Sequence, residues 1–460
     1  MKLLALILSL SFLVIIHEGG HYFFARLFKT RVEKFYLFFN PYFSILRAKR
    51  YEGKWHFSFF SKKSPEDFEK HPDNTEWGIG WVPFGGYCSI SGMVDENNTD
   101  ASKLNSEAQP WEYRSKKAWQ RLLIVAGGVM VNFIGALVIF SAILFTWGKD
   151  TLPIENVPNG YDYNQTALSS GFKNGDRIIA VDGKQVQEMR DVVNAILLDN
   201  KRNVKLIRNN DTINIVLSED FSKKMIGAGE KQFAVPRFPF VIGGFTDNAL
   251  GKKAGLEVGD SLVAINGQAT TSFSEFATKM ARYANQKVTV AYYRNNVLDS
   301  LNIKLDKDAK IGAYCKDYTK DLQYVHTDYG FFESIPKGIA HGWSTLVSYV
   351  KQFKFVFSKE GASQLGGFGA IGSLFPSTWN WQLFWNMTAF LSIILAFMNI
   401  LPIPALDGGH VIFTLWEMIT GKKPSDKFME KAEMVGLILL FALLIYANGN
   451  DLFRWMTGKL

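Results

Sequence analysis

"VIIHEGGHYF", residues 14–23, sits inside an apolar run that covers residues 3–28. Two histidines and a glutamate are costly guests in such a run. Ionisable side chains inside a membrane span are strongly unfavourable unless they are satisfied, so a functional role is the default expectation. His17 and His21 stand at i and i+4. A helix puts both on one face, where they can ligate one Zn2+. Glu18, one residue on, lies beside that face and can take a proton from water acidified by the metal. The same pattern also fits polar side chains packed against neighbouring helices, so the rest of the chain has to discriminate.

The run belongs to a chain of 460 residues, enough for two to four domains. Its composition is 47% apolar and 15% aromatic, with a mean hydropathy near zero. That balance suits membrane spans combined with water-exposed domains. The formal net charge is +8. The basic residues form no long run and accompany no nucleic-acid motif. They flank apolar segments, which points to the lipid bilayer and away from nucleic acid. Two cysteines, Cys88 and Cys315, cannot build a disulfide framework or a thiolate zinc site. The topology expected below also puts them on opposite sides of the membrane. The opening segment has the basic start of a secretory signal, but its apolar stretch runs on to Phe28 without a small-x-small cleavage site, so it reads as a retained span.

Crossing a bilayer takes about 20 residues. Four stretches qualify: 3–28, 122–147, a third from Phe384 through "MTAFLSIILAFMNILPIPALDGGHVIF", and 435–446 with its flanks. Arg26, Lys29, Arg31 and Lys34 follow the first. Arg114, Lys116, Lys117 and Arg121 precede the second, and Lys422, Lys423, Lys427 and Lys431 separate the last two. All three clusters belong on the cytoplasmic side. Both termini and the long segment between spans two and three are then extracytoplasmic.

Between the first two spans, "YFSILRAKRYEGKWHFSFFSKK" alternates and breaks at Glu52-Gly53, as a β-hairpin does. "WGIGWVPFGGYCSISGM" is a Gly-rich aromatic piece, and 95–113 reads as a polar loop. Between spans two and three, "ALSSGFKNGDRIIAVDGKQV" at Ala167 aligns with "ALGKKAGLEVGDSLVAINGQAT" at Ala249. One G-D and one [DN]-G turn recur at a period of roughly 80 residues, which means two copies of a compact β-rich domain. Both resemble PDZ domains in the circularly permuted order of bacterial proteases. The helical pattern of "IPKGIAHGWSTLVSYVKQFKFVF", charged on one side, fits a helix along the membrane surface.

A zinc site needs a third protein ligand and an open position. The third span offers Asp407. His17 lies about 21 Å along its helix from Leu3, at about 1.5 Å per residue. Spans one and three run parallel, and Asp407 follows Phe384 by 23 residues, so both motifs fall toward the cytoplasmic half of the membrane. Pro402 and Pro404 lack amide donors, so regular helix should give way there.

HExxH in the first span with N-x-x-P-x-P-x-L-D-G from Asn399 to Gly408, and G-x-x-x-N from Gly128 to Asn132 in the second, resembles the site-2 protease family of intramembrane zinc proteases. The paired PDZ copies resemble its RseP-type branch. The resemblance implies a polytopic α-helical bacterial inner-membrane enzyme with four transmembrane helices, a zinc site within the membrane, a membrane-associated β-hairpin region and two extracytoplasmic PDZ domains. It implies His17, His21 and Asp407 as Zn2+ ligands, Glu18 as general base, and Asn399 as a substrate-binding residue; for Asn132 it leaves two readings, a substrate-binding residue or a helix-packing hydrogen bond. His410 and His56 are not expected to be ligands. "GGFGAIG" resembles a family element usually written G-P-I, with Phe368 in place of the proline. The implied substrates are single-span membrane proteins, such as anti-sigma factors already trimmed by another protease, and remnant signal peptides.

The expected segments are a first span over 1–30, the β region and cytoplasmic loop over 31–120, and a second span over 121–148. PDZ copies follow over 151–230 and 231–310, then amphipathic linker helices over 325–380. The third span covers 381–420, and the fourth with the C-terminus covers 432–460. A transporter or metal carrier could also line a pathway with buried His, Glu and Asp, although no repeat among the spans supports it. A PDZ scaffold with a degenerate membrane anchor is a third reading, opposed by the intact set of ligands and Glu18.

Overall fold

The computed structural model describes residues 1–93, 107–230, 232–318 and 321–457. The polar loop expected over 95–113 lies outside the described residues as far as 106. The chain forms two units. The first comprises 1–148, 328–356 and 365–460, and the second 149–327 with 357–364.

In the first unit, three helices among the described residues are long and apolar enough to cross a membrane: α1 (Lys2–Leu27), α2 (Ala118–Trp147) and, after α3 (Phe331–Phe353), α4 (Trp381–Ile400). They are followed by α5 (Asp407–Thr420) and α6 (Asp426–Met456). The third expected span is therefore two helices with a break between them, where Pro402 and Pro404 withhold their amides. Ala405, in that break, holds a left-handed backbone with φ of 78°. Gly436 of α6 packs directly on the carbonyl of Pro404.

Lipid gives apolar helices no hydrophobic reason to associate, so close packing and hydrogen bonds do the work. At the α1–α2 crossing, a Cβ on Gly20 would strike the Gly127 carbonyl, and one on Gly127 would stand 2.7 Å from the Gly20 oxygen. Thr388 Oγ1 of α4 donates to Ser9 Oγ of α1 at 3.0 Å, and Ser392 Oγ donates to the Asn132 carbonyl of α2 at 2.7 Å. Helix α3 also packs on α2. A Cβ on Gly338 would collide with Ser141, and one on Gly342 with Leu137. Its charge pattern suggested a surface helix; the two glycines four residues apart mark a packed face.

The region expected as a hairpin and a Gly-rich piece is one mixed sheet of β1 (Val32–Phe39), β2 (Ser44–Tyr51), β3 (Lys54–Ser61), β4 (Glu76–Ile79) and β5 (Val82–Ile90). The strand order is β3-β2-β4-β1-β5. The hairpin itself is β2–β3, turning at Glu52 and Gly53 with φ of 52° and 78°. It forms the far end of the sheet. The edge beside α1 is β5, where a Cβ on Gly86 would lie 2.8 Å from Val14 Cγ1. Within the sheet, Arg47 Nη1 donates to Glu76 Oε1 at 2.8 Å, and Tyr36 and Ser64 donate to the same carboxylate. Burial would raise the Glu76 pKa, but those hydrogen bonds and the Arg47 charge outweigh it and hold the group below its usual range. Its contribution to stability is therefore complete above the unfolded pKa of about 4.3 and is lost as pH falls through the lower folded value.

The second unit holds the repeat. Strands Arg177–Val181, Lys184–Gln185, Asn203–Arg208 and Asp211–Val216 form one sheet. Phe240–Phe245, Ser261–Ile265, Gln268–Ala269, Lys287–Arg294, Val297–Lys304 and Ala313–Cys315 form the other. Ala234–Pro236 pairs with Tyr161–Tyr163, and Phe233 lies in the first core, so the first copy reaches past the expected limit at 230. Ala313–Cys315 takes the second past 310. The copies match in detail. Gly171 and Gly255 have φ of 104° and 106°. Asp182 and Asn266, each followed by a left-handed glycine, accept from the amides of Asn203 and Thr289. The buried carboxylates of the G-D turns are each held by two nitrogens of one arginine. Arg208 binds Asp176 at 2.8 and 2.7 Å, and Arg294 binds Asp260 at 2.8 and 2.7 Å. Breaking a buried pair leaves a charge uncompensated, so Asp176→Ala is expected to destabilise the first copy by about 3 kcal/mol. In the intact chain, amide exchange in Asn203–Arg208 should quicken roughly a hundredfold while the second copy is unchanged. Unchanged exchange there would contradict this.

Candidate metal centre

The three expected ligands come from two helices distant in sequence. His17 and His21 occupy successive turns of α1, and Asp407 is the first residue of α5. The break before α5 allows this because the chain passes very close to itself. A Cβ on Gly408 would strike the Leu401 carbonyl, and one on Gly409 would stand 2.7 Å from Pro404 Cα. Glycine at both positions lets the turn close.

His17 Nε2 lies 3.3 Å from Asp407 Oδ2, and His21 Nε2 lies 3.5 Å from it. The two Nε2 atoms are 3.3 Å apart. A tetrahedral zinc with bonds of about 2.0–2.1 Å sets its ligand atoms about 3.3–3.4 Å apart. The observed triangle has that size. Asp407 Oδ2 is buried and makes no hydrogen bond, although two imidazoles face it. Two imidazole nitrogens thus converge with a carboxylate oxygen that has no hydrogen-bond partner among the described residues, and the donor set fits Zn2+.

Surrounding groups fix this arrangement. His21 Nδ1 lies 2.9 Å from the Ile124 carbonyl. Asn132 Nδ2 lies 3.2 Å from His17 Nδ1, and Asn399 Nδ2 is 3.3 Å from His17 Nε2. Asn132 is fully buried. Glu18 is half-buried, next to His17 on α1 and outside the ligand cluster. His410 faces Glu433 at 3.5 Å, and His56 stacks on Tyr51 with ring centroids 3.8 Å apart, so neither joins the cluster. Two contributors escape a reading of side chains. Gly128 of α2 faces both imidazoles, and a Cβ there would lie 2.5 Å from His21 Nε2 and 2.6 Å from His17 Cε1. Ile124 acts through its backbone, for which the sequence carries no signal. The G-x-x-x-N spacing marks Gly128 but not its purpose.

Known proteins resemble this chain over nearly its whole length. A protein of Haemophilus influenzae named regulator of sigma E protease is 24% identical over 472 residues, covering 97% of this chain and 98% of its own. The metalloprotease MmpA of Caulobacter vibrioides is 24% identical over 474 residues, covering 99% and 96%. A Vibrio cholerae protein, whose name makes it a candidate zinc metalloprotease, is 24% identical over 484 residues, covering 98% of each chain. The model of Peptidase family M50 matches residues 5–61 and 64–443, which takes in both helices of the metal centre. A match over most of its length, with the ligand cluster inside it, places this membrane protein in Peptidase family M50.

Proposed function

We propose that the chain is an intramembrane zinc peptidase that hydrolyses bonds within or beside the membrane-spanning segments of single-span proteins. The observation that carries this reading is the triangle of His17 Nε2, His21 Nε2 and Asp407 Oδ2, with sides of 3.3 to 3.5 Å, between α1, a helix fit to cross a membrane, and the start of the shorter α5. Held by His17, His21 and Asp407, zinc would supply a Lewis acid for acidifying water and polarising a carbonyl. Glu18 takes the proton and returns it to the leaving amine. Asn399 holds the unwound substrate backbone.

A substrate span arrives as a helix with its backbone bonds made internally. Edge strand β5, lying beside α1, offers replacement partners by strand addition. Similarity to the regulator of sigma E protease supports membrane anti-sigma factors as one substrate class. Remnant signal peptides are a second. In this reading α6 is a fourth span in the bacterial inner membrane. Both termini and the PDZ-like copies are extracytoplasmic, and the metal centre lies toward the cytoplasm. The PDZ-like pair screens out substrates whose outer part has not been shortened by another protease.

The test is cleavage by purified full-length protein in liposomes of a single-span substrate with a short outer part, the fragments being identified by mass spectrometry. Cutting within the span, stopped by a chelator and restored by zinc, is the expected result. An intact substrate at every outer length in the presence of zinc would overturn it.

A further inference from the structure

The two ligand histidines are held at Nδ1 by different kinds of partner, and this points to a role for Asn132. The Ile124 carbonyl can only accept, so His21 Nδ1 carries the proton and Nε2 keeps its lone pair toward Asp407. His17 Nδ1 instead meets a carboxamide, Asn132, at 3.2 Å. If Asn132 donates there, His17 must carry its proton on Nε2, the atom that faces Asp407. That tautomer cannot ligate a metal through Nε2. A carboxamide has nearly the same shape either way round. With Nδ2 toward His17, the Asn132 Oδ1 is buried without a hydrogen-bond partner among the described residues, so no second bond locks the amide in that sense.

We infer that Asn132 is a positioning residue for the metal centre: its Oδ1 accepts from His17 Nδ1–H, fixing the tautomer and ring orientation that turn Nε2 to the zinc. The inference rests on the metal reading above. The fold prepares Asn132 for this. The residue is fully buried, and Ser392 of α4 holds its backbone carbonyl at 2.7 Å. One turn earlier on α2, Gly128 leaves room for both rings. A substrate contact would need the amide to reach the reacting chain, whereas it is spent on the side of His17 away from Asp407. Asn132 and Ile124 thus do the same work for the two histidines, one with a side chain and the other with the backbone.

The test is zinc affinity of the detergent-solubilised full chain, measured by competition with a chelator and read independently of cleavage. Loss of such a supporting partner typically costs 10–100-fold in metal affinity. Asn132→Ala is expected to weaken zinc binding by about that factor. Asn132→Asp keeps both the size and an acceptor, so it should hold zinc at close to the parental affinity. That arm decides the question even where the alanine variant fails to fold. Parental affinity in Asn132→Ala, or weakened affinity in Asn132→Asp, would overturn the inference while leaving the metal centre standing. A parental chain that binds no zinc would instead sink the metal reading, and this inference with it.

Discussion

Glu18→Gln is expected to abolish cleavage while zinc stays in place. Glutamine keeps the length and shape of the side chain but cannot take a proton, and a positioned base contributes about 10²–10⁴-fold to rate. The structure separates Glu18 from the cluster of candidate ligands. Glu18 sits beside His17 on α1, yet the three converging ligand atoms belong to His17, His21 and Asp407. Losing the base should therefore leave the metal site intact. The comparison is turnover of a shortened single-span substrate against metal content in the same preparation. Near-normal turnover by Glu18→Gln would remove its assignment as base; loss of zinc along with turnover would make Glu18 part of the metal site.

Glycine substitutions should divide sharply by position. A Cβ on Gly128 would enter the space between the two imidazoles, 2.5 Å from His21 Nε2 and 2.7 Å from His17 Nδ1. The rings are pinned at Ile124 and Asn132 and cannot yield without losing their aim. A displacement of about 1 Å at a reacting centre can cost about 10²-fold. Gly128→Ala is accordingly expected to lose at least about 10²-fold in turnover and to bind zinc more weakly. Gly19, inside the histidine pattern itself, has nothing within 4 Å of an added Cβ. Gly19→Ala should therefore hold zinc as the parent does and slightly favour its helix. Parental zinc affinity and turnover in Gly128→Ala would contradict the geometry.

What could be read from the sequence was whatever a local pattern carries. His17 and His21 share a face because helical periodicity dictates it. The helix gives way before Asp407 because two prolines lack amides. The two copies of the repeat follow from repeated turns at Asp182-Gly183 and Asn266-Gly267. What could not be read depends on partners far apart in the chain. The parallel pairing of β1 with β4 brings Lys34 beside Glu76, and β1 meets β5 at Val32 and Ile90. No local alternation reports such neighbours, so a five-stranded sheet looked like a hairpin and a loose Gly-rich piece. Nothing local in the sequence marks Arg208 and Arg294 as the partners of the aspartates in the G-D turns. Asn132 was legible as a motif residue. Which side of His17 it occupies required the α1–α2 crossing, which rests on glycines whose close approach leaves no compositional signature.

His17, His21 and Asp407 are proposed to hold one zinc ion together, and the most direct measurement is metal stoichiometry. Full-length protein purified without added chelator should carry one zinc per chain. The His17→Ala, Asp407→Ala double variant, checked for retained helix content, should carry none, because a single histidine from this set cannot hold the ion. Stoichiometric zinc retained by the double variant would place the metal elsewhere and contradict the account.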